Sequence, residues 1–235
     1  MHWILTMNKN NESVDLPYIE LETGQHPDAA VIWLHGLGAS GHDFEPVVPE
    51  LKLPADMAVR FIFPHAPEIP VTINGGAVMP AWYDILEMNI ERKVDIGQLM
   101  VSADRVEQLI EQEIGRGIDS RRIVLAGFSQ GGAVAYQVAL SYPKPLAGLL
   151  TLSTYFMTAN TVELNQANAR IPIQVMHGIY DSMVQEQMGR KAVETLQAMG
   201  YRRDYRTYPM EHQVCLEQIA DISRWLQQVL ASSGG

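Results

Sequence analysis

The stretch Leu125-Ala126-Gly127-Phe128-Ser129-Gln130-Gly131-Gly132-Ala133 (LAGFSQGGA) decides how this chain is read. The apolar run Ile123-Val124-Leu125-Ala126 leads into it, and a helix-like run from Ala133 to Ser141 leads out. Between them a serine stands in the spacing G-x-S-x-G. That spacing suits an abrupt strand-to-helix turn with the serine at a strained apex, because a side chain at either glycine would meet neighbouring backbone. The helix start beneath the serine then offers unpaired N–H groups to a developing negative charge. Chance alone produces the pattern in roughly one chain in twelve of this length. A plain glycine-rich turn is the competing reading until the rest of the chain is considered.

Working outward, other short β-branched runs read as strands buried on both faces: Ala30–Leu34, Val59–Phe63, Leu146–Leu152 and Ile173–Met176. Each ends in a polar or Gly/Pro-rich stretch. Helical spacing recurs at Leu99–Gly117, Gln185–Met199 and Val214–Leu230. Strands alternating with such helices imply right-handed βαβ units and a mostly parallel sheet with helices on both faces. Tyr18–Glu22 reads as an added edge strand, and residues 1–15 as a flexible or edge segment. The stretch from His65 to Arg92 shows no clear period and reads as a long irregular loop forming one wall of a site. No repeat or linker divides residues 1–235, which read as one domain.

A serine at its ordinary pKa is a weak nucleophile and needs a base, with a third group to orient that base. In this architecture the acid and then the base follow the serine, each after a later strand. Asp181 follows the run ending at Met176, and His212 follows the expected last strand, Tyr205–Tyr208. Asp204 is the rival acid but sits at a strand start. His177 is the rival base, and a His-Gly pair at a strand end more often supports a turn. An oxyanion needs two donors: the N–H of Gln130 and, from the loop His35-Gly36-Leu37-Gly38, the N–H of Leu37.

Composition narrows the field. A net charge of -10 argues against a nucleic-acid partner. The single cysteine, Cys215, allows no intramolecular disulfide and no cysteine-based metal site. No apolar run is long enough for stable membrane insertion. The expectation is a cytoplasmic enzyme. An apolar cavity mouth could pair two copies as a homodimer, although no motif requires it.

The stretches VIWLHGLGASGHDF (Val31–Phe44), FPHAPEIPVTINGGAVMPAWYDI (Phe63–Ile85), LAGFSQGGAVAYQVAL (Leu125–Leu140) and HGIYDSMV (His177–Val184) cover much of the chain. In them it resembles the phospholipase/carboxylesterase family of α/β-hydrolases, which includes acyl-protein thioesterases, with the small bacterial carboxylesterases as its nearest members. The resemblance implies an α/β-hydrolase fold without a large cap domain, and no metal or organic cofactor. It carries Ser129, Asp181 and His212 over as the triad, and Leu37 and Gln130 as the oxyanion hole. It also makes Ile73, Met79 and Trp82 walls of an apolar acyl channel.

The implied activity is a serine carboxylesterase acting on small-molecule or lipid-like oxoesters and secondarily on thioesters. Lysophospholipase or acyl-protein thioesterase activity is the alternative, and a catalytically silent binding protein the non-enzyme one. Two departures stand out. Gln185 follows Val184 where the family usually has proline, and Glu211 precedes His212 where the family has a small residue. A carboxylate facing the base would move the acidic limb of the pH profile upward. Cys215, three positions beyond His212, reads more simply as a small buried residue than as a reactive thiol.

Overall fold

The computed structural model describes residues 16–87 and 93–231. Residues 1–15, read above as a flexible or edge segment, lie outside them. In chain order the elements are β1 (Tyr18–Glu22), β2 (Ala29–Leu34), α1 (Val47–Glu50), β3 (Val59–Pro64), β4 (Glu68–Val71), β5 (Ala77–Pro80), β6 (Ile85–Glu87) and β7 (Lys93–Val94). There follow α2 (Ile96–Gly115), β8 (Ile123–Phe128), α3 (Gln130–Ser141), β9 (Gly148–Leu152), β10 (Ile173–Gly178), α4 (Glu186–Ala198), β11 (Arg203–Tyr208) and α5 (Leu216–Val229).

Seven strands form one sheet in the order β1-β3-β2-β8-β9-β10-β11. Only β1 runs antiparallel, along β3; the others are parallel. The continuous apolar runs have the cause expected of them, since β2, β3, β9 and β10 are buried along their whole length. Alternation sorts their side chains into two cores. Ala30, Ile32 and Leu34 join residues of α2, α3 and α4, whereas Val31 and Trp33 join Val47 and Val48 of α1 and Ile222, Trp225 and Leu226 of α5. Each large apolar side chain so buried contributes about 1.5–3 kcal/mol. No helix among the described residues is long and apolar enough to cross a membrane.

Two expectations need correction. The stretch read as an irregular loop, 65–92, carries structure in its described part: β4 and β5 form one antiparallel ribbon, and β6 pairs with β7, which lies just beyond the stretch, in a second. The first ribbon carries little period because its strands are only four residues long, with Val71 the one buried residue of β4 and none buried in β5. Helix α3 begins at Gln130, three residues before the apolar run that announced it.

The strand order places the site. From β2 the chain moves outward to β3, then crosses to β8 on the other side of β2. The carboxyl ends of β2 and β8 therefore flank the point where the order reverses, the usual crevice of an open α/β sheet. Leu34 and Gly127 pair across that point, so the loops after them open side by side.

Candidate active site

Ser129 sits at the apex between β8 and α3 with φ 53° and ψ -119°. A non-glycine residue held there costs about 1–3 kcal/mol, so the surroundings must enforce it. They do so through glycines. A Cβ on Gly127 would lie 2.5 Å from the Gly131 carbonyl oxygen, and one on Gly131 would lie 2.5 Å from that of His35. A Cβ on Gly132 would strike the Thr154 side chain at 2.6–2.7 Å. Thr154 Oγ1 donates to the Ser129 carbonyl at 2.5 Å, and the Ser129 N–H donates to the Leu152 carbonyl at 2.9 Å. The three glycines of GFSQGG are thus close-approach positions, and the Ser129 backbone is held from both sides.

Asp181 and His212 meet although they leave different strands. His212 Nδ1 lies 2.6 Å from Asp181 Oδ2. An ionised carboxylate only accepts, so Nδ1 carries the proton and Nε2 is left free to accept one. Asp181 Oδ1 accepts the N–H groups of Met183 (2.9 Å) and Val184 (2.8 Å). Burial pushes the Asp181 carboxyl up. The His212 and Val184 hydrogen bonds and the charge of the neighbouring His212 ring outweigh that and hold it below the ordinary carboxylate value. The acid and base loops are joined by backbone: Ile179 N–H donates to the Tyr208 carbonyl at 2.9 Å and Tyr180 N–H to that of Met210 at 3.1 Å. A Cβ on Gly178 would lie 2.4 Å from the Met210 oxygen and 2.5 Å from that of Glu211. Gly178 was missed in the sequence; its only signal was its place in HGIYD. The Phe128 ring, 4.7 Å from the His212 ring, forms the remaining support.

The loop after β2 is braced by groups that sequence reasoning did not single out. His35 is buried, its Nδ1 2.7 Å from the Gly36 carbonyl and its Nε2 3.0 Å from the Ala66 N–H. Those partners fix the tautomer, with Nδ1 donating and Nε2 accepting. Burial pushes this imidazole down, toward the neutral form that the arrangement requires. The Gly38 N–H donates to the Pro80 carbonyl at 2.8 Å. A Cβ on Gly36 would lie 3.3 Å from the Phe128 ring and 3.4 Å from Ser129 Cβ, so the bare glycine lets the loop pass close to both. Leu37 is thereby carried to the Ser129 cavity, which Gln130 also lines.

Gln130 does more than offer its N–H. Its side-chain Nε2 donates to the Tyr83 carbonyl at 2.6 Å and its Oε1 accepts the Trp82 N–H at 2.8 Å. The Tyr83 hydroxyl in turn lies 2.8 Å from that of Tyr155.

One cavity of about 790 Å³ holds Ser129, His212, Leu37 and Gln130, with Ile73, Met79, Phe44, Phe128, Val184 and Val214 among its apolar walls. Ile73 and Met79 stand where the sequence put them. Trp82 does not: its ring is buried behind the site and its indole N–H donates to the His35 carbonyl at 2.9 Å. It supports the β2 loop rather than lining the cavity, because that carbonyl is the partner its N–H needs once buried. Cys215 is half-buried against the α5 core and lies off the cavity. Glu211 is exposed, and Asp204 is exposed within β11 beside Gln174.

A strained serine, an imidazole oriented by a buried carboxylate and an apolar cavity define a serine hydrolase of the α/β-hydrolase fold. The sequence profile of the Phospholipase/Carboxylesterase family matches residues 17–230, and the chain belongs to that family as a serine ester hydrolase. It is 35% identical to "Acyl-protein thioesterase 1" of Gibberella zeae over 225 residues, covering 91% of this chain and 95% of that protein. Among solved structures, Arabidopsis thaliana SOBER1 superposes with a TM-score of 0.80 at 30% identity, covering 86% of this chain and 99% of that one. The carboxylesterase of Bacillus cereus superposes with a TM-score of 0.74 at 15% identity, over 92% and 95% of the two chains, a likeness of fold.

Proposed function

We propose that this enzyme is an acyl-protein thioesterase, with Ser129, Asp181 and His212 as its triad and the N–H groups of Leu37 and Gln130 as its oxyanion hole. His212 Nε2 takes the Ser129 proton as Oγ attacks the thioester carbonyl. The two N–H groups hold the oxyanion, one such donor being worth about 2.7–4 kcal/mol. Collapse expels the sulfur, which takes the proton from His212, and leaves the acyl chain on Ser129. Water, deprotonated by His212, then releases the carboxylic acid and restores the serine.

The observation that carries this reading is the apolar cavity at Ser129, walled by Ile73, Met79, Phe128 and Val214. Such a cavity suits an acyl chain, and the named relative at 35% identity is a thioesterase. The order of preference drawn from the sequence alone is thereby reversed, with small oxoesters second. The cytoplasmic location expected from the sequence belongs to the same proposal.

The test is a series of matched oxo- and thioesters from butanoyl to hexadecanoyl, hydrolysed by the wild type and by Ser129→Ala. We expect kcat/KM to favour the thioester at each length and to rise with chain length. We also expect Ser129→Ala to lose at least about 10,000-fold in kcat. A preference for oxoesters that peaks at short acyl groups would establish the carboxylesterase reading instead.

A further inference from the structure

Asp181 stands between two imidazoles, and the reaction proposed above uses only one of them. His212 is partly exposed, with Nδ1 2.6 Å from Asp181 Oδ2. His177, on β10, is wholly buried, with Nε2 3.6 Å from the same oxygen. That distance is too long for a hydrogen bond, and the His177 Nε2 already has a nearer acceptor, the Val184 carbonyl at 2.7 Å.

The tautomer follows from those partners. A carbonyl only accepts, so the His177 Nε2 carries the proton. Its Nδ1 is buried without a partner, and it faces Gly189 of α4 so closely that a Cβ there would lie 2.3 Å away. A second proton on Nδ1 would be a buried cationic donor with nothing to receive it. The ionisable groups facing the ring are Asp181 on its own loop, Glu186 at the start of α4 and His212 from the loop after β11. Burial pushes the His177 imidazole down and prevails over the opposing pull of the Val184 hydrogen bond and the two carboxylates; His212 adds to the lowering.

Val184 is the residue through which this ring reaches the acid. Its N–H is one of the two donors to Asp181 Oδ1, so clamping its carbonyl fixes the turn from 181 to 184. Gln185 stands next to it, so no proline ring stiffens that position and the clamp works without one.

Accepting Asp181 and His212 as acid and base, we propose that His177 is a positioning residue for the acid. It is a neutral Nε2–H imidazole that clamps the Val184 carbonyl, and it aims Asp181 at His212 without competing for the carboxylate as a second cation.

The experiment combines nitrogen NMR of the histidine rings with pH profiles of kcat/KM for the wild type, His177→Ala and His177→Gln. In the wild type the His177 ring stays in the Nε2–H tautomer and does not titrate between about pH 5 and 8. His177→Ala lowers kcat about 10- to 100-fold and leaves KM within about twofold. It also moves the acidic limb to lower pH by roughly half a unit, because a loosened carboxylate stabilises the imidazolium less. His177→Gln, whose amide N–H can reach the same carbonyl, restores most of both.

An Nδ1–H tautomer, or protonation of His177 near neutrality, overturns the proposal. So does a folded His177→Ala protein whose acidic limb stays in place. If His177→Ala fails to fold, the wild-type tautomer and the Gln variant decide. Absence of any ester turnover in the wild type would refute the hydrolase mechanism, and the His212 ring titration in the resting variants would still test the clamp.

Discussion

The dipeptide His-Gly stands at the carboxyl ends of two strands, just after β2 and as the last two residues of β10, and the two corners answer different needs. At the end of β2, His35 uses both ring nitrogens, holding the Gly36 carbonyl and the Ala66 N–H at once. In β10, His177 uses one, on the Val184 carbonyl, and its other nitrogen is buried unpaired. The glycines differ as well. Gly36 leaves room for side-chain atoms of Phe128 and Ser129, whereas Gly178 leaves room for backbone oxygens of Met210 and Glu211. The first corner lays a loop beside Ser129; the second lets the loops carrying Asp181 and His212 touch. A shared sequence signal therefore marks a tight corner, while the partner it meets in space sets what the corner does.

The comparison breaks most sharply at the glycines. Gly178→Ala places a methyl 2.4 Å from a main-chain oxygen that cannot swing aside, so the acid and base loops must part. A shift of about 1 Å at a catalytic pair costs on the order of 100-fold, and we expect at least that loss in kcat. Gly36→Ala meets a phenyl ring at 3.3 Å, which can give by a few tenths of an ångström. We expect less than about tenfold there. Steady-state kinetics on both variants, with circular dichroism to confirm folding, would contradict this account if the order were reversed.

The next largest effect lies in the brace behind the β2 loop. His35→Ala removes the hold on Gly36 and Ala66 together, and a displaced Leu37 N–H should lower kcat about tenfold with KM little changed. Trp82→Phe removes only the indole donor to the His35 carbonyl and should cost about 1 kcal/mol of stability, with a smaller kinetic effect. Equal kinetic losses in the two variants would mean that the indole, and not the imidazole, orients the loop. Urea unfolding alongside the kinetics separates the two.

These residues also show what the sequence could disclose. That Ser129, Asp181 and His212 leave the same end of the sheet was legible because each follows a strand. The strands before Ser129 and Asp181 announce themselves as apolar runs, whereas β11 before His212 is largely exposed and was placed by its position ahead of the last helix. Leu37 followed from the same rule applied to β2. Trp82 was placed in the wall because the resemblance assigns the whole segment from Ile73 to Trp82 to the channel, whereas the fold turns its indole N–H to the His35 carbonyl. The side chain of Gln130, which bridges the backbones of Trp82 and Tyr83, has no signal in the chain, since its partners lie 47 and 48 positions away. The ribbons in and just after 65–92 escaped because strands of two to four residues are too short to show a period. Helix α3 was entered late because Gly131 and Gly132 lower helix propensity while meeting a packing demand visible only in space.

Acid sensitivity should sharpen the likeness of the two histidines. Both imidazoles are pushed down, chiefly by burial. Below about pH 6.5 the unfolded chain takes up protons that the folded rings resist. The unfolded state then binds more protons, so stability falls as pH drops through that window. Urea midpoints at pH 7.5 and 5.5 should show a loss for the wild type, and a smaller one for His35→Gln and for His177→Gln. Asp181 acts in a separate window. Its lowered carboxyl adds stability above about pH 4 that disappears further down, so Asp181→Asn should flatten only the acid end of the curve. An unchanged slope between pH 7.5 and 5.5 in both Gln variants would mean that neither ring is held neutral.

The smallest effect separates side-chain clamping from chain stiffness at the β10 corner. Gln185 has φ -56°, close to the value a proline ring imposes, and precedes the first residue of α4. Gln185→Pro should therefore fit its conformation and stabilise the fold by about 0.4–1 kcal/mol, through a less flexible unfolded chain. No such position exists in the β2 loop at Gly38, whose φ of 73° a proline cannot adopt. If the clamp from His177 already fixes the turn, Gln185→Pro raises the melting temperature and leaves kcat as it was. A gain in kcat would show that the turn from Asp181 to Val184 still moves in the wild type, and that the imidazole alone does not hold the acid in place.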